Sequence, residues 1–484
     1  MPVPRRHTET IASDREILLA IVFACPVTYY ILSIILKNSQ VPLLVSIFIL
    51  CNMLSRTKVF TSLIEKAEPH LTKLLQVTDV SNLSSMLNDS IPPPTTTVNR
   101  SRFDSLSETS KVELLAAIKS LQSYSTNSKK NNERHKKLFK MMTWRQQKLC
   151  EDVGYLKRLD KIDTSISKNQ VLLKDIATQA METYQLSFRD FELLKSTNKN
   201  NNSSSNYRVI EALGHYIRDW CPEGESELQF LVDNVVTQLN ESIAVEDRHK
   251  TMVVVPGSGL GRIAHAIAEL GSSSSNDKFG SVQAVEYSGL MHVCNSYMYN
   301  NSTDKSDKAK SYELYPYIHT SSNITEAKSQ FRSIKLNTGG QQPENLVLNH
   351  DDFRYFEAVD ASKYENVVVV SVFFMDTAEN IVEYFDAIET LTKPTSKNNI
   401  KNGYWINIGP LKYGSAAQAE LTADELTKLR KSMGWRDVNC VTTIDKPKQY
   451  GENGLVGYIT DKQSLWQGYY GLNIWNSKRK ENKS

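Results

Sequence analysis

The stretch TMVVVPGSGLGRIAHAIAELG, followed by a polar loop and SVQAVEYSG, constrains the fold of this chain more than any other. Met252 to Val255 are four apolar residues, as a parallel strand covered on both faces requires. Gly257, Gly259 and Gly261 follow at alternate positions. A helical pattern then places Ile263, Ala266, Ile267 and Leu270 on one face, and Gly271 stops it. A second short strand, Val282 to Val285, ends on Glu286. The order strand, glycine turn, helix, strand, acid is that of the first half of a nucleotide-binding α/β unit.

Glycines let the backbone turn sharply and let a ligand approach the main chain. A carboxylate at the tip of the second strand can accept hydrogen bonds from both hydroxyls of a ribose. The spacing G-S-G-L-G departs from the dinucleotide pattern G-x-G-x-x-G, which speaks against NAD. A plain strand-to-helix turn is the alternative reading of the glycines. The acid on the strand end favours the binding site.

Composition narrows the class. The 484 residues suffice for two or three domains, and 40% hydrophobic with 23% charged residues is a globular balance. A net charge of +3, with no basic stripe interleaved with aromatics, gives no nucleic-acid footprint. The six cysteines lack CxxC or metal spacing, which argues against a disulfide scaffold or a zinc site and fits a reducing compartment.

Along the chain, a tail over 1–16 precedes Ile17 to Leu36, a run of twenty residues without a charge. Val41 to Leu54 is a second apolar run. Basic residues flank both, so the pattern predicts a membrane anchor over 17–58, one helix or a hairpin, with the catalytic domain in the cytosol. Which membrane is open, the endoplasmic reticulum being a guess. Residues 59–135, with IPPPTTT and SKKNNERHKK, read as a linker, largely disordered, interrupted by one helical patch from Ser110 to Leu121. A helical region is expected over 136–206 and the α/β domain over 207–484. His215 and Arg218 are three apart on one helical face. From the residues alone, Arg218 reads as a surface ion-pair member.

Beyond Glu286 the α/β pattern continues. Asp351, Asp352 and Phe353 follow a short strand and offer a carboxylate and a ring to a bound base. The apolar run after Tyr364 predicts a buried central strand with Asp376 at its carboxyl end, the edge where open α/β sheets bind ligands. As a helix cap, Asp376 has an equal claim. Gly403 to Ile408 is the next strand. Thr422 and Glu425 form a capping box for the helix after it.

VPGSGLGRIAHAIAELG with VEYS, ELYPYIHTSSN at 313–323, DDF, FFMDTAEN at 373–380, YWINIGPLKY at 404–413 and RDW at 218–220 together resemble the carnosine N-methyltransferase family over roughly 208–475. The resemblance implies an α/β, Rossmann-like class I methyltransferase fold, with a mostly parallel seven-stranded sheet and helical N-terminal additions beside the membrane hairpin. It implies S-adenosyl-L-methionine as cofactor, and as substrate a small-molecule or peptide imidazole whose ring nitrogen is methylated. Gly257 and Gly259 match the family's turn, Glu286 its ribose acid, and Asp352 with Phe353 its adenine loop. Arg218 matches an arginine that reaches the cofactor, and His215 stands where glutamine is usual. Asp376 matches the carboxylate that holds the imidazole, and Tyr470 one of two tyrosines beside it.

The sequence also departs from that family. Gly414 replaces a histidine, Gly468 falls on the first substrate tyrosine, and Glu379 replaces the histidine of the DTAHN block. Two lost side chains predict a wider pocket and a bulkier or different acceptor. A membrane-tethered methyltransferase with another acceptor and a non-catalytic scaffold are the alternatives.

Overall fold

A computed structural model describes residues 101–196, 202–271, 277–299, 309–359, 361–395, 398–449 and 452–480. Its centre is a seven-stranded sheet. The main-sheet strands are β1 (Thr251–Pro256), β2 (Ser281–Glu286), β5 (Leu346–His350), β6 (Asn366–Val372), β7 (Asn402–Gly409), β8 (Trp435–Thr442) and β11 (Asn473–Arg479). Their order is β5-β2-β1-β6-β7-β11-β8. Every neighbouring pair is parallel except those of β11, which runs antiparallel to both β7 and β8. Two small hairpins lie outside it: β3 (Ser311–Leu314) with β4 (Ile334–Asn337), and β9 (Leu455–Gly457) with β10 (Tyr469–Gly471). One reversed strand in a parallel sheet of this order is the Rossmann-like methyltransferase architecture that the sequence predicts.

Composition explains the layering. All six residues of β1 are buried, as are the first six of β6, so both are covered on each face. Burying each valine there contributes about 1.5–3 kcal/mol. The chain leaves β1 toward β2 and β5 on one side, then returns to β6 on the other. The order reverses between β1 and β6, and a crevice opens there at the strands' carboxyl ends. Helices α6 (Arg262–Ala268), α7 (Gly289–Tyr297), α8 (Ile381–Thr392) and α9 (Ala423–Ser432) follow β2, β6 and β7 or precede them in the usual alternation. The Thr422–Glu425 capping box opens α9 as expected.

The N-terminal half departs from the sequence reading. Where a linker to 135 is expected, Glu108–Lys140 form one helix, α1. After the short α2 (Trp144–Asp152), α3 (Tyr155–Thr183) runs back along it. Asn132 donates to the Leu159 carbonyl at 2.7 Å, and the Ser125 amide donates to Gln170 Oε1 at 2.8 Å, which fixes the pair as antiparallel. The seam uses Leu114, Ile118, Leu121 and Tyr124, then Ser128 and Asn132. Polar residues that find partners fill the end of that stripe, so a pattern of apolar residues alone ends too soon. The SKKNNERHKK run is the helix's wet face plus those two buried polar positions.

Nor is there a packing break at 206/207. Residues 100–484 form one compact unit, and α1, α3 and α4 (Asn202–Trp220) share a core with the sheet. At Gly289 a Cβ would lie 2.7 Å from the Glu113 carbonyl carbon, so α1 crosses α7 closely. The anchor expected over 17–58 lies outside the described residues. The expected membrane placement is not supported: among the described residues no helix is long and apolar enough to cross a membrane.

Candidate active site

The crevice gathers residues from four strand ends. After β1, Gly257 has φ +57° and Gly259 φ +55°, a region that side chains seldom enter. A Cβ at Gly257 would lie 2.4 Å from Phe374 Cδ2, whereas one at Gly259 would meet nothing within 4 Å. The first glycine therefore makes room for the protein's own ring, and the second faces open space.

After β2, Glu286 is held from two sides. The Gly259 amide donates to its Oε2 at 2.8 Å and the Ser288 amide to its Oε1 at 2.8 Å. Burial pushes its pKa up to about 7, against the pull of these amides. Each carboxylate oxygen keeps a lone pair for a ligand. On this turn Ser258 Oγ is buried without a hydrogen-bond partner, as is Nδ1 of His215 on α4. An orphaned hydroxyl on a glycine turn beside a fixed carboxylate fits a cofactor that carries a ribose and an amino-acid end.

After β5, Asp352 and Phe353 are held by neighbours within the protein. Asp352 accepts the Arg354 amide at 3.0 Å and pairs with the Arg354 guanidinium at 2.6 Å. Burial alone would raise its pKa, but the bonds and charge of Arg354 outweigh that and hold it low. Its carboxylate is committed within the loop. Phe353 is buried, with its ring edge-on to Phe374 at 5.5 Å and to Tyr384 at 6.1 Å. It is a wall of the crevice rather than a free ring.

After β6, Phe373 takes φ +51°, a costly conformation for an aromatic residue that concentrates at functional sites. Asp376, buried, follows it. The Lys412 amide, just past β7, donates to Asp376 Oδ2 at 2.9 Å. Burial raises the Asp376 pKa, opposed by that amide. The same lysine's Nζ donates to Tyr470 Oη at 3.1 Å. Asp376 and Tyr470 are thus joined through one residue that the sequence reading did not single out.

His215 and Arg218 share a face of α4, and both meet Tyr458. The His215 ring is edge-on to it at 5.9 Å, and the Arg218 guanidinium lies 4.9 Å from its centroid. Arg218 also bonds Asp219 at 2.6 Å. Burial, aided by the charge of Arg218, lowers the His215 pKa to about 4, so this imidazole is neutral at physiological pH. Tyr458 stacks on Phe373 at 4.8 Å, and Phe373 is edge-on to Tyr470 at 6.5 Å. A run of rings therefore links the α4 side of the crevice to the Asp376 side. The strap carrying Tyr458 is clamped by Glu227 on α5 (Glu225–Ser242), whose carboxylate accepts the Ile459 and Thr460 amides, both at 2.9 Å.

Two departures resolve differently. Gly414 is exposed, and a Cβ there would touch nothing within 4 Å. At Gly468 a Cβ would lie 3.0 Å from the Trp466 ring, so that place is occupied and does not widen the pocket. Glu379 is exposed. A separate polar cavity of about 380 Å³ between α1, α3 and 318–322 contains none of these residues.

Residues 195–481 match the family model for carnosine N-methyltransferase. The chain belongs to the carnosine N-methyltransferase family. It is 28% identical over 355 residues to a carnosine N-methyltransferase of Schizosaccharomyces pombe, covering 69% of this chain and 85% of that one. The mouse carnosine N-methyltransferase is 26% identical over 377 residues, with 73% and 82% covered. Saccharomyces cerevisiae protein YMR209C is 32% identical over 268 residues, and the match spans 54% of this chain and about half, 53%, of that relative. The magnesium protoporphyrin IX methyltransferase of Synechocystis PCC 6803 overlays at a TM-score of 0.29 and 12% identity, covering 58% and 96%, too loosely to add to the strand order.

Family membership gives the crevice residues a frame. Tyr458 and Glu227 lie in none of the quoted motifs, and Phe373 and Lys412 lie inside FFMDTAEN and YWINIGPLKY without being singled out there. Only the repeated aromatics of FFMD hinted at Phe373.

Proposed function

We propose that this chain is an S-adenosyl-L-methionine-dependent N-methyltransferase acting on an imidazole nitrogen, with donor and acceptor meeting between the ends of β1 and β6. The observation that carries it is the pair of carboxylates at the ends of β2 and β6, the two strands that flank β1. Glu286 is fixed by the glycine turn, and Asp376 is fixed by the Lys412 amide.

Gly257, Gly259, Glu286, His215 and Arg218, with Asp352 and Phe353 at the base, would hold the cofactor. When bound, S-adenosyl-L-methionine supplies a methyl group on a sulfonium, which is released as a neutral thioether. The protein's share is alignment, which removes orientational entropy from the barrier. Asp376 keeps Oδ1 for the imidazole N–H, which sets the tautomer and leaves the opposite ring nitrogen with a free lone pair. That nitrogen forms the new bond to carbon, and the ring becomes a cation that Asp376 stabilises. A carboxylate whose pKa burial has raised is a stronger acceptor for that N–H. Tyr470 borders the ring, and Phe373 closes the floor.

Calorimetry with S-adenosyl-L-methionine, followed by transfer of labelled methyl to a panel of imidazole compounds, tests this reading. Binding with transfer to at least one imidazole supports it. No binding leaves only the fold, and binding without transfer removes the imidazole acceptor.

A further inference from the structure

The motif ELYPYIHTSSN at 313–323 carries part of the family resemblance, yet no crevice residue described above comes from it. Its end, from Ile318 to Ser322, forms one wall of the cavity of about 380 Å³ that α1 and α3 close from the other side. Asn132 on α1 and Gln330 both line that cavity and are 3% and 0% exposed. The Asn132 amino group donates to the Leu159 carbonyl at 2.7 Å and to Asp163 Oδ1 at 2.8 Å. That of Gln330 donates to the Thr320 carbonyl at 2.9 Å. All three partners are acceptors, so neither amide can be turned round. Asn132 Oδ1 and Gln330 Oε1 are therefore the atoms left buried without a partner. Two orphaned acceptors on two walls of one cavity call for a ligand that brings hydrogen-bond donors.

Charge supplies the other half. No carboxylate lines the cavity, while Arg158 on α3 does. Its guanidinium lies 5.2 Å from the Tyr155 ring centroid and, among the described residues, pairs with no carboxylate. His319 shares a hydrogen bond with Tyr124 Oη at 3.1 Å, and burial lowers its pKa to about 4, so it adds no charge at neutral pH. A guanidinium without an acid is matched by a phosphate or a carboxylate. We propose that this cavity is a second ligand site, separate from the crevice, for a small polyhydroxylated anion. Its hydroxyl groups donate to Asn132 and Gln330, and its phosphate or carboxylate meets Arg158. The wall it touches is tied to the strap that carries Tyr458, because the Asn323 carbonyl accepts the Leu465 amide at 2.8 Å.

The test titrates glucose 6-phosphate, gluconate, glucose and inorganic phosphate into the full chain by calorimetry. At least one of the two hydroxylated anions should bind, and which one does tells phosphate from carboxylate. Glucose and inorganic phosphate each lack one half of the recognition and should bind at least about ten-fold more weakly. Arg158→Met should weaken the anion by about ten-fold or more, with Arg158→Lys restoring part of it. A thermal melt of Arg158→Met like that of the wild type separates a lost contact from a lost fold. On binding, hydrogen exchange should slow over 318–323 and at 463–465. No binding by either anion, equal binding of all four probes, or binding that survives Arg158→Met overturns the proposal and leaves a cavity filled by water. Slowed exchange confined to 257–261 and 286–288 puts the probe in the crevice and overturns it too.

Discussion

The Gly259 amide donates to Glu286 Oε2 at 2.8 Å, so the turn after β1 itself sets the orientation of the acid after β2. Glu286→Gln keeps the shape but turns one end into a donor facing a donor. Affinity for S-adenosyl-L-methionine should fall by about 1.5–3 kcal/mol, roughly ten- to a hundred-fold. Calorimetry reads this directly, and an unchanged Kd would remove Glu286 from the donor site.

The same acid predicts a pH dependence. Its folded pKa of about 7 lies above the ordinary 4.5 because it is buried. Its contribution to folding is thus fully present below about pH 4.5 and is lost as pH rises through about 7. Ribose hydroxyls donate to the ionised form, so binding pulls the opposite way. Affinity should drop as pH falls below about 7, with a proton released on binding. Calorimetry in buffers of different ionisation enthalpy measures that proton, and Glu286→Gln should abolish it.

The two crevice glycines should separate stability from binding. Gly257→Ala places a Cβ against Phe374 in a strained conformation, and should cost about 2–5 kcal/mol of folding stability. Gly259→Ala faces open space and pays only the backbone cost of about 1–2 kcal/mol, yet its methyl enters the donor's path. Denaturant unfolding and donor titration on both variants should rank them in opposite orders.

Asp376→Asn keeps an oxygen for the Lys412 amide but loses the charge that stabilises the methylated ring. Transfer should fall roughly a hundred-fold or more, with donor affinity nearly intact. Equal loss of both would make Asp376 a structural residue.

Buried histidines set the acid limit of the fold. His292 and His350 stack at 5.0 Å, and burial lowers their pKa values to about 3 and about 4. Their contribution is fully present above the ordinary 6.5 and is lost as pH falls toward those values. Thermal melts should decline from pH 7 to pH 4, and His350→Asn, which cannot charge, should flatten that decline.

The local signals of the α/β core were readable. Glycines with positive φ, a strand-end acid and an all-apolar central strand each declare themselves within a few residues. Asp376 was legible as a strand-end carboxylate, though its partner was not, because Lys412 reaches it only through the pairing of β6 with β7. Phe353 was visible as a ring in a loop, but its burial depends on Phe374 and Tyr384. The Asp352–Arg354 pair was in plain sight two residues apart, yet its geometry decides whether a ligand can use that carboxylate. Tyr458 had no signal, since its meaning comes from His215 and Arg218 on α4 and from Phe373, two segments far from it in the chain. The length of α1 was hidden because Ser128 and Asn132 take core positions where apolar residues are expected.

The stack from His215 through Tyr458 and Phe373 to Tyr470 has an evolutionary corollary. If donor and acceptor meet as proposed, a change to one of its aromatic members should be felt by both and so be penalised. Position 414, where a Cβ would touch nothing within 4 Å, is free of that penalty. Divergence in what the family methylates should therefore be written in peripheral loops around a shared aromatic spine.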